Sequence, residues 1–249
     1  MINIKTDSEI EYMRQAGKIV GETLAMLQEV IKPGITTADL DIIAEEYIRK
    51  CGAVPSFKGY YGFPASLCTS INSEVVHGIP SKDVILQEGD IISVDCGAIW
   101  NGFHGDAART FPVGKISAEA EKLIKVTKES FFKGAEKAVI GNKLTDISYA
   151  IQEYAESFGY SMVRDYVGHG IGRNMHEDPE VPNFGRPHRG PKLLKGMVLA
   201  IEPMVNLGDY HVKVLPNDWT VVTVDGSLSS HYENTVAITE NGPEILTLV

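Results

Sequence analysis

No apolar run in this sequence approaches the length of a membrane span. The N-terminal stretch MINIKTDSEIEYMRQ is polar and acidic and lacks a basic segment followed by an apolar core, so no signal peptide is expected. Cysteine is scarce. Cys51, Cys68 and Cys96 are odd in number and follow no pattern, which argues against a disulfide framework and for a reducing compartment, the cytoplasm. Positive charge is also short: 23 Lys and Arg stand against 33 Asp and Glu, a formal net charge of -10, which disfavours broad nucleic-acid binding. There is no H-E-x-x-H, so the zincin design is absent, and GHGIG is not followed by the rest of a dinucleotide-binding fingerprint.

What is present suits a globular α/β chain. The 249 residues are 43% hydrophobic and 22% charged, enough for one large domain or two small ones. Thr6 or Asp7 can cap a first helix to about Val30, broken by Pro33–Gly34; Thr36 or Thr37 caps a second, ended by Gly52. After an aromatic, Gly-rich loop (Phe57–Phe63), a strand is expected near Leu67–Ile71. Ser117 starts a long helix to about Ala138, and Thr145 caps another that stops at Gly159. Strands and loops follow: Ser161–Val167, a GHGIG turn, a Pro-rich loop from Pro179 to Pro191, then strands at Met197–Val205, Val212–Val214, Thr220–Val224, Tyr232–Thr239 and Glu244–Leu248.

The chain is organised around IISVDCGAIWNGFHGDAART, Ile91–Thr110. Two apolar runs flank Asn101–Gly102, a strong hairpin signal. Folded there, Asp95 comes roughly opposite Asp106 on one face of a buried sheet, where two like charges are costly unless a cation sits between them or one holds a proton. An offset of 107 residues aligns Gly34 with Gly141, Asp39 with Asp146, Glu46 with Glu153, Tyr47 with Tyr154 and Gly52 with Gly159. The same offset lays the strand ending at Asp95 over the strand ending at Glu202. The expectation is a single domain, residues 1–249, made of two related halves of about 1–115 and 116–249, with acids from both converging at the junction.

Singly, an acid at a strand end is usually solvated and a lone histidine usually structural. Together, Asp95, Asp106, His169, Glu202 and Glu233 form a hard, oxygen-rich set that suits two divalent first-row ions better than a structural zinc. Two ions about 3.5–4 Å apart are the arrangement of two-metal hydrolases. The three cysteines read as small buried hydrophobes. The basic segment Arg186–Lys195 reads as a solvated loop, with docking to an acidic partner as the alternative.

The blocks GYYGFPASLCTSINSEVVHGIP, IISVDCGA, GFHGDAARTF, GHGIGRNMHE, GMVLAIEP and HYENTVAIT, in this order and spacing, resemble type I methionine aminopeptidases over nearly the whole chain. The resemblance implies the α/β pita-bread fold, two pseudo-twofold halves with antiparallel sheet inside and helices outside. It implies metal ligation by Asp95, Asp106, His169, Glu202 and Glu233, with Asp95 and Glu233 on one ion and Asp106 and Glu233 bridging to a second. The ions would be cobalt, manganese, iron or zinc. It implies catalytic and substrate-contacting roles for His77 and His176, Glu202 as proton carrier, and a methionine pocket lined by Tyr60, Phe63, Cys68, Met175 and Trp219. Some members carry an aromatic where Met175 stands and Tyr where Phe63 stands. The implied partners are deformylated nascent chains at a bacterial-type ribosome, and the implied state is a monomer, with no membrane and no specific nucleic acid. The family's small-second-residue rule implies that this chain, with Ile2, keeps Met1.

Three other classes are separable. A proline-specific peptidase of the same fold usually carries a further N-terminal domain, for which this chain has no room. A non-catalytic relative that binds ribosomes or peptides would lose ligands, and none is lost. A phosphohydrolase would need a cationic cradle where this sequence is apolar.

Overall fold

Short polar side chains start three of the four long helices. In the computed structural model, which describes residues 1–249, Thr6 caps α1 (Asp7–Val30) and Thr36 caps α2 (Thr37–Lys50). Both are capping boxes: the threonine oxygen accepts the N–H three residues on, and the Glu9 or Asp39 carboxylate accepts the threonine N–H. Ser117 caps α3 (Ala118–Ala135). The fourth start differs from the sequence expectation. α4 (Leu144–Glu156) begins one residue before Thr145, with Lys143 at the cap position and Asp146 accepting its N–H at 2.8 Å. Thr145 is drawn elsewhere: its hydroxyl donates to the Arg189 carbonyl and accepts the Arg189 N–H, so a tertiary contact replaces the local cap.

α1 buries Ile10, Met13, Val20, Leu24 and Leu27 along one stripe, each such side chain contributing about 1.5–3 kcal/mol when fully covered. That stripe packs against the Ile91–Trp100 and Phe103–Pro112 strands. With α2 it encloses one core; α3 and α4 enclose the other, against the second sheet.

The hairpin turns at Asn101 and Gly102, whose φ of 49° and 79° are those a two-residue type I′ turn requires. The other edge of Ile91–Trp100 pairs with Leu67–Ile71 and with Val54–Pro55. The second sheet is antiparallel throughout, in the order Gly242–Ile245, Asn234–Thr239, Val198–Ile201, Gly168–Gly170, Glu177–Val181. Three expectations are corrected here. The GHG of GHGIG is a strand rather than a turn, the Pro-rich stretch starts within a strand, and Met197–Val205 splits into Val198–Ile201 and Met204–Asn206. Pro203, with no N–H to donate, stands at the split.

The two sheets meet edge to edge. Glu233 N–H donates to the Ala108 carbonyl at 2.9 Å, and Thr235 Oγ1 donates to the Asp106 carbonyl at 2.9 Å while accepting the Asp106 N–H at 3.0 Å. Local contacts also recur 107 positions apart. Tyr47 donates to Glu22 as Tyr154 does to Glu129; Thr36 bridges Ile85 as Lys143 bridges Lys192; Gly34 N–H donates to Leu86 as Gly141 N–H does to Leu193.

Candidate active site

Asp95 and Asp106 lie on one face of the hairpin but are not opposite each other. Asp95 pairs with Ala108 and Asp106 with Gly97. The two-residue turn sets this register, and it moves the acids to a diagonal, where Cα atoms stand about 7–8 Å apart rather than 4.5–5.5 Å. The diagonal leaves room between the carboxylates.

His169 sits in the short strand beside them. Gly168 and Gly170 flank it because the chain passes within contact of its neighbours: a Cβ would stand 2.3 Å from the Ala200 carbonyl oxygen at the first and 2.2 Å from the Asp178 carbonyl oxygen at the second. His169 Nδ1 donates to the Gly170 carbonyl at 2.9 Å, which leaves Nε2 with its lone pair. That nitrogen lies 3.8 Å from Asp106 Oδ2 and 3.5 Å from Glu202 Oε1. Burial, with the nearby His176 ring, holds its pKa down to about 3, so the ring is neutral. Glu202 follows the Val198–Ile201 strand, and its other oxygen, Oε2, lies 3.5 Å from His231 Nε2. Glu233 is fixed by its backbone bond to Ala108 and by Arg109, whose guanidinium donates to the Glu233 carbonyl and to Asn234 Oδ1.

The residues fit a divalent cation centre. Asp106, His169 and Glu233 present ligand atoms within 4.8 Å of one another, and so do Glu202, His231 and Glu233. Asp95 Oδ1, Asp106 Oδ1, Glu233 Oε1 and His231 Nε2 are buried without a hydrogen-bond partner. Burial pushes Asp95 up to about 7, and the Glu202 charge adds to this; Asp106, Glu202 and Glu233 are pushed well above the carboxylate range, again by burial first. Four acids buried together, each raised by desolvation, are a cluster that cations would neutralise.

Above the carboxylates is a cavity of about 250 Å³. Phe63, Cys68, Met175 and Trp219 form its apolar wall, with Phe63 and Trp219 edge to face at 5.1 Å. Tyr60, His77 and His176 line its polar side. Burial holds His77 near 4, a neutral imidazole, on a backbone with φ of 61°, a left-handed conformation that costs a non-glycine residue energy and is found at functional positions. His176 stands exposed at the mouth, and desolvation of its inner side lowers its pKa. Tyr60 Oη is 2.8 Å from His176 Nδ1. Burial and the acids around it raise the Cys68 thiol well above its ordinary value, so it serves as wall rather than nucleophile.

Every residue given a site role in the sequence analysis lines this one cavity, whereas Cys51, Cys96 and the Arg186–Lys195 segment do not. Phe57 and Tyr61 also line it without having been singled out, although they lie in the aromatic loop that was noted. His231 was missed as well. It ends the Ser229–His231 strand two residues before Glu233, and the chain leaves that strand before Glu233, so no alternation pattern joins the two and proximity in sequence was the one available signal. His104, two residues before Asp106, donates to or accepts from Ser56 Oγ at 2.9 Å and is likewise buried.

Residues 11–240 match the family model of metallopeptidase family M24. The methionine aminopeptidase of Clostridium acetobutylicum is 77% identical, over 100% of this chain and 99% of its own length. The crystal structure of methionine aminopeptidase from Thermotoga maritima superposes with a TM-score of 0.99 at 50% identity, covering 100% of both chains. A prolidase from Pyrococcus furiosus superposes at 0.79 with 26% identity, covering 99% of this chain and 65% of its own.

Proposed function

The chain belongs to the type I, bacterial methionine aminopeptidases of metallopeptidase family M24, and from that premise we propose how its residues carry out the reaction. The enzyme removes the N-terminal methionine of polypeptides. The observation that carries the residue assignment is the juxtaposition of the acid–imidazole cluster with an apolar cavity of about 250 Å³.

Asp95, Asp106, His169, Glu202 and Glu233 would hold two divalent cations. Bound there, these supply positive charge that polarises the scissile carbonyl and acidifies water. The methionine side chain enters between Phe63, Cys68, Met175 and Trp219, where a thioether is well accommodated. Glu202 takes the proton of the attacking water and passes it to the leaving amine. In the tautomer where the Tyr60 hydroxyl donates to His176 Nδ1, the ring presents Nε2–H to stabilise the developing oxyanion. His77, across the cavity, hydrogen-bonds the peptide beyond the cut. The requirement for a small second residue rests on the family resemblance, as do the nascent-chain substrate, the ribosome contact and the monomeric state. The recurrence of local contacts 107 positions apart supports reading residues 1–115 and 116–249, approximately, as a duplicated unit.

The test is release of free methionine from Met-Ala-Ser and Met-Phe-Ser by chelator-stripped protein given manganese, iron, cobalt or zinc, with Glu202→Ala alongside. Cation-dependent cleavage of the first peptide alone, lost in the variant, supports the reading. Folded protein that cleaves neither peptide with any ion overturns it in favour of a binding protein.

A further inference from the structure

The ligand set assigned above contains one imidazole, but two face Glu202. His169 Nε2 lies 3.5 Å from Oε1 and His231 Nε2 lies 3.5 Å from Oε2, so each carboxylate oxygen has a ring nitrogen of its own. We propose that His231 is a direct nitrogen ligand of one of the two cations, sharing that ion with Glu202 and Glu233. The inference rests on the reading that cations occupy the acid cluster.

Three observations carry it. First, Glu202, His231 and Glu233 present ligand atoms within 4.8 Å of one another, as do Asp106, His169 and Glu233. The cluster is therefore two triads, each with one imidazole, that share Glu233. Second, 3.5 Å is longer than a normal N–H···O bond. Two donors bound tetrahedrally to one ion at about 2.1 Å stand about 3.4 Å apart, so the spacing suits a shared ion better than a hydrogen bond. Third, His231 is 1% exposed and its Nε2 has no hydrogen-bond partner. An orphaned ring nitrogen is costly in the interior. The strand around it is nevertheless pinned, since Thr110 Oγ1 accepts the His231 N–H and donates to the His231 carbonyl, each at 2.9 Å. The scaffold thus fixes the backbone from which the ring reaches the acid cluster, with Nε2 3.5 Å from Glu202 Oε2.

A nitrogen donor in each triad makes the pair of sites less purely oxygen-rich, and moves its preference from manganese toward cobalt and zinc. Replacing His231 by an amide should weaken one of two binding steps at least tenfold, and zinc more than manganese.

The experiment uses stripped wild-type protein with ¹⁵N-labelled histidine rings, titrated with Zn²⁺ and followed by long-range ¹H–¹⁵N spectra. Calorimetry of wild type, His231→Gln and His231→Asn runs alongside. Two Nε2 resonances should take on metal-bound shifts, one of them missing from both His231 variants. If zinc binds and only the His169 nitrogen moves, the proposal fails while the reading of the centre stands. If calorimetry detects no binding to folded wild-type protein, both fall. Two conservative variants are used because the shifted nitrogen is assigned to His231 by its loss from either one that folds; two shifted resonances that both persist in a folded variant overturn the proposal.

Discussion

Tyr60 Oη lies 2.8 Å from His176 Nδ1, which ties the aromatic loop over the cavity to the imidazole at its mouth. The two residues are 116 positions apart. The contact engages Nδ1 of His176 and leaves Nε2 to face the cavity chemistry. It also couples a residue of the binding wall to one that we place on the reacting carbonyl.

Tyr60→Phe removes the hydroxyl and leaves the ring. A lost hydrogen bond of this kind is worth about 1–1.5 kcal/mol, so kcat should fall about tenfold with KM changed much less. Steady-state kinetics on Met-Ala-Ser checks this. An equal rise in KM with kcat unchanged would mean that Tyr60 acts only in binding.

Glu202→Gln keeps size and shape but removes the proton carrier and one ligand charge. Turnover should drop by about 10²–10⁴, and calorimetry should show weaker cation binding. The stripped variant should be no less stable to heat than stripped wild type, because burial already pushes the Glu202 carboxyl well above its ordinary value.

Cation binding should stabilise the fold in a pH-dependent way. Asp95, with a folded-state value of about 7, and Asp106, Glu202 and Glu233, well above the carboxylate range, are all raised. Groups raised on folding stabilise fully below their unfolded values, about pH 4, and lose that contribution as pH rises through the folded values. Stripped protein should therefore lose stability from about pH 4 toward pH 8 through these groups, and the gain on adding cation should grow over the same window. At a hundredfold excess over Kd, one ion adds about 2.7 kcal/mol, which is about 5–10 °C in Tm for a chain of this size. Thermal melts with and without manganese at pH 5 and pH 8 test the sign; a gain independent of pH would contradict it.

Lys5 and Glu177 form a buried ion pair at 2.7 Å, with side chains 5% and 3% exposed, next to His176. Burial pushes the Glu177 carboxyl up, but hydrogen bonds from Lys5, the Asn174 N–H and Asn3 outweigh it and leave the carboxyl below its ordinary value. Lys5→Met strands this charge and should cost about 3 kcal/mol at neutral pH. Because the folded value is depressed, the contribution is present above the unfolded value, about pH 4.5, and is lost as pH falls through the folded one. Urea melts at pH 7 and pH 3.5 should show the penalty at the first and a smaller one at the second.

Much of the site was readable because its parts are local. Asn101–Gly102 between two apolar runs specifies the hairpin, and period-two alternation puts Asp95 and Asp106 on one face whichever of the two registers forms. Alternation does not choose the register, since a shift of two residues preserves every facing; the two-residue Asn101–Gly102 loop does, because it pairs Trp100 with Phe103 and so Asp95 with Ala108. The Thr6, Thr36 and Ser117 caps were legible because each is satisfied within its own first turn, whereas Thr145 was not, because Arg189 claims it from 44 residues away.

By itself, then, the sequence determined the helices, the central hairpin, the acids that interrupt apolar strands and, through its motif blocks, the family. Tertiary structure alone decided that Glu233 belongs to two triads, that His231 approaches Glu202 from the side opposite His169, and that Tyr60 meets His176. Propensity, capping and alternation act over a few residues along the chain. These meetings depend on how two sheets join edge to edge at Ala108 and Glu233, a contact between strands 125 residues apart that no local pattern encodes.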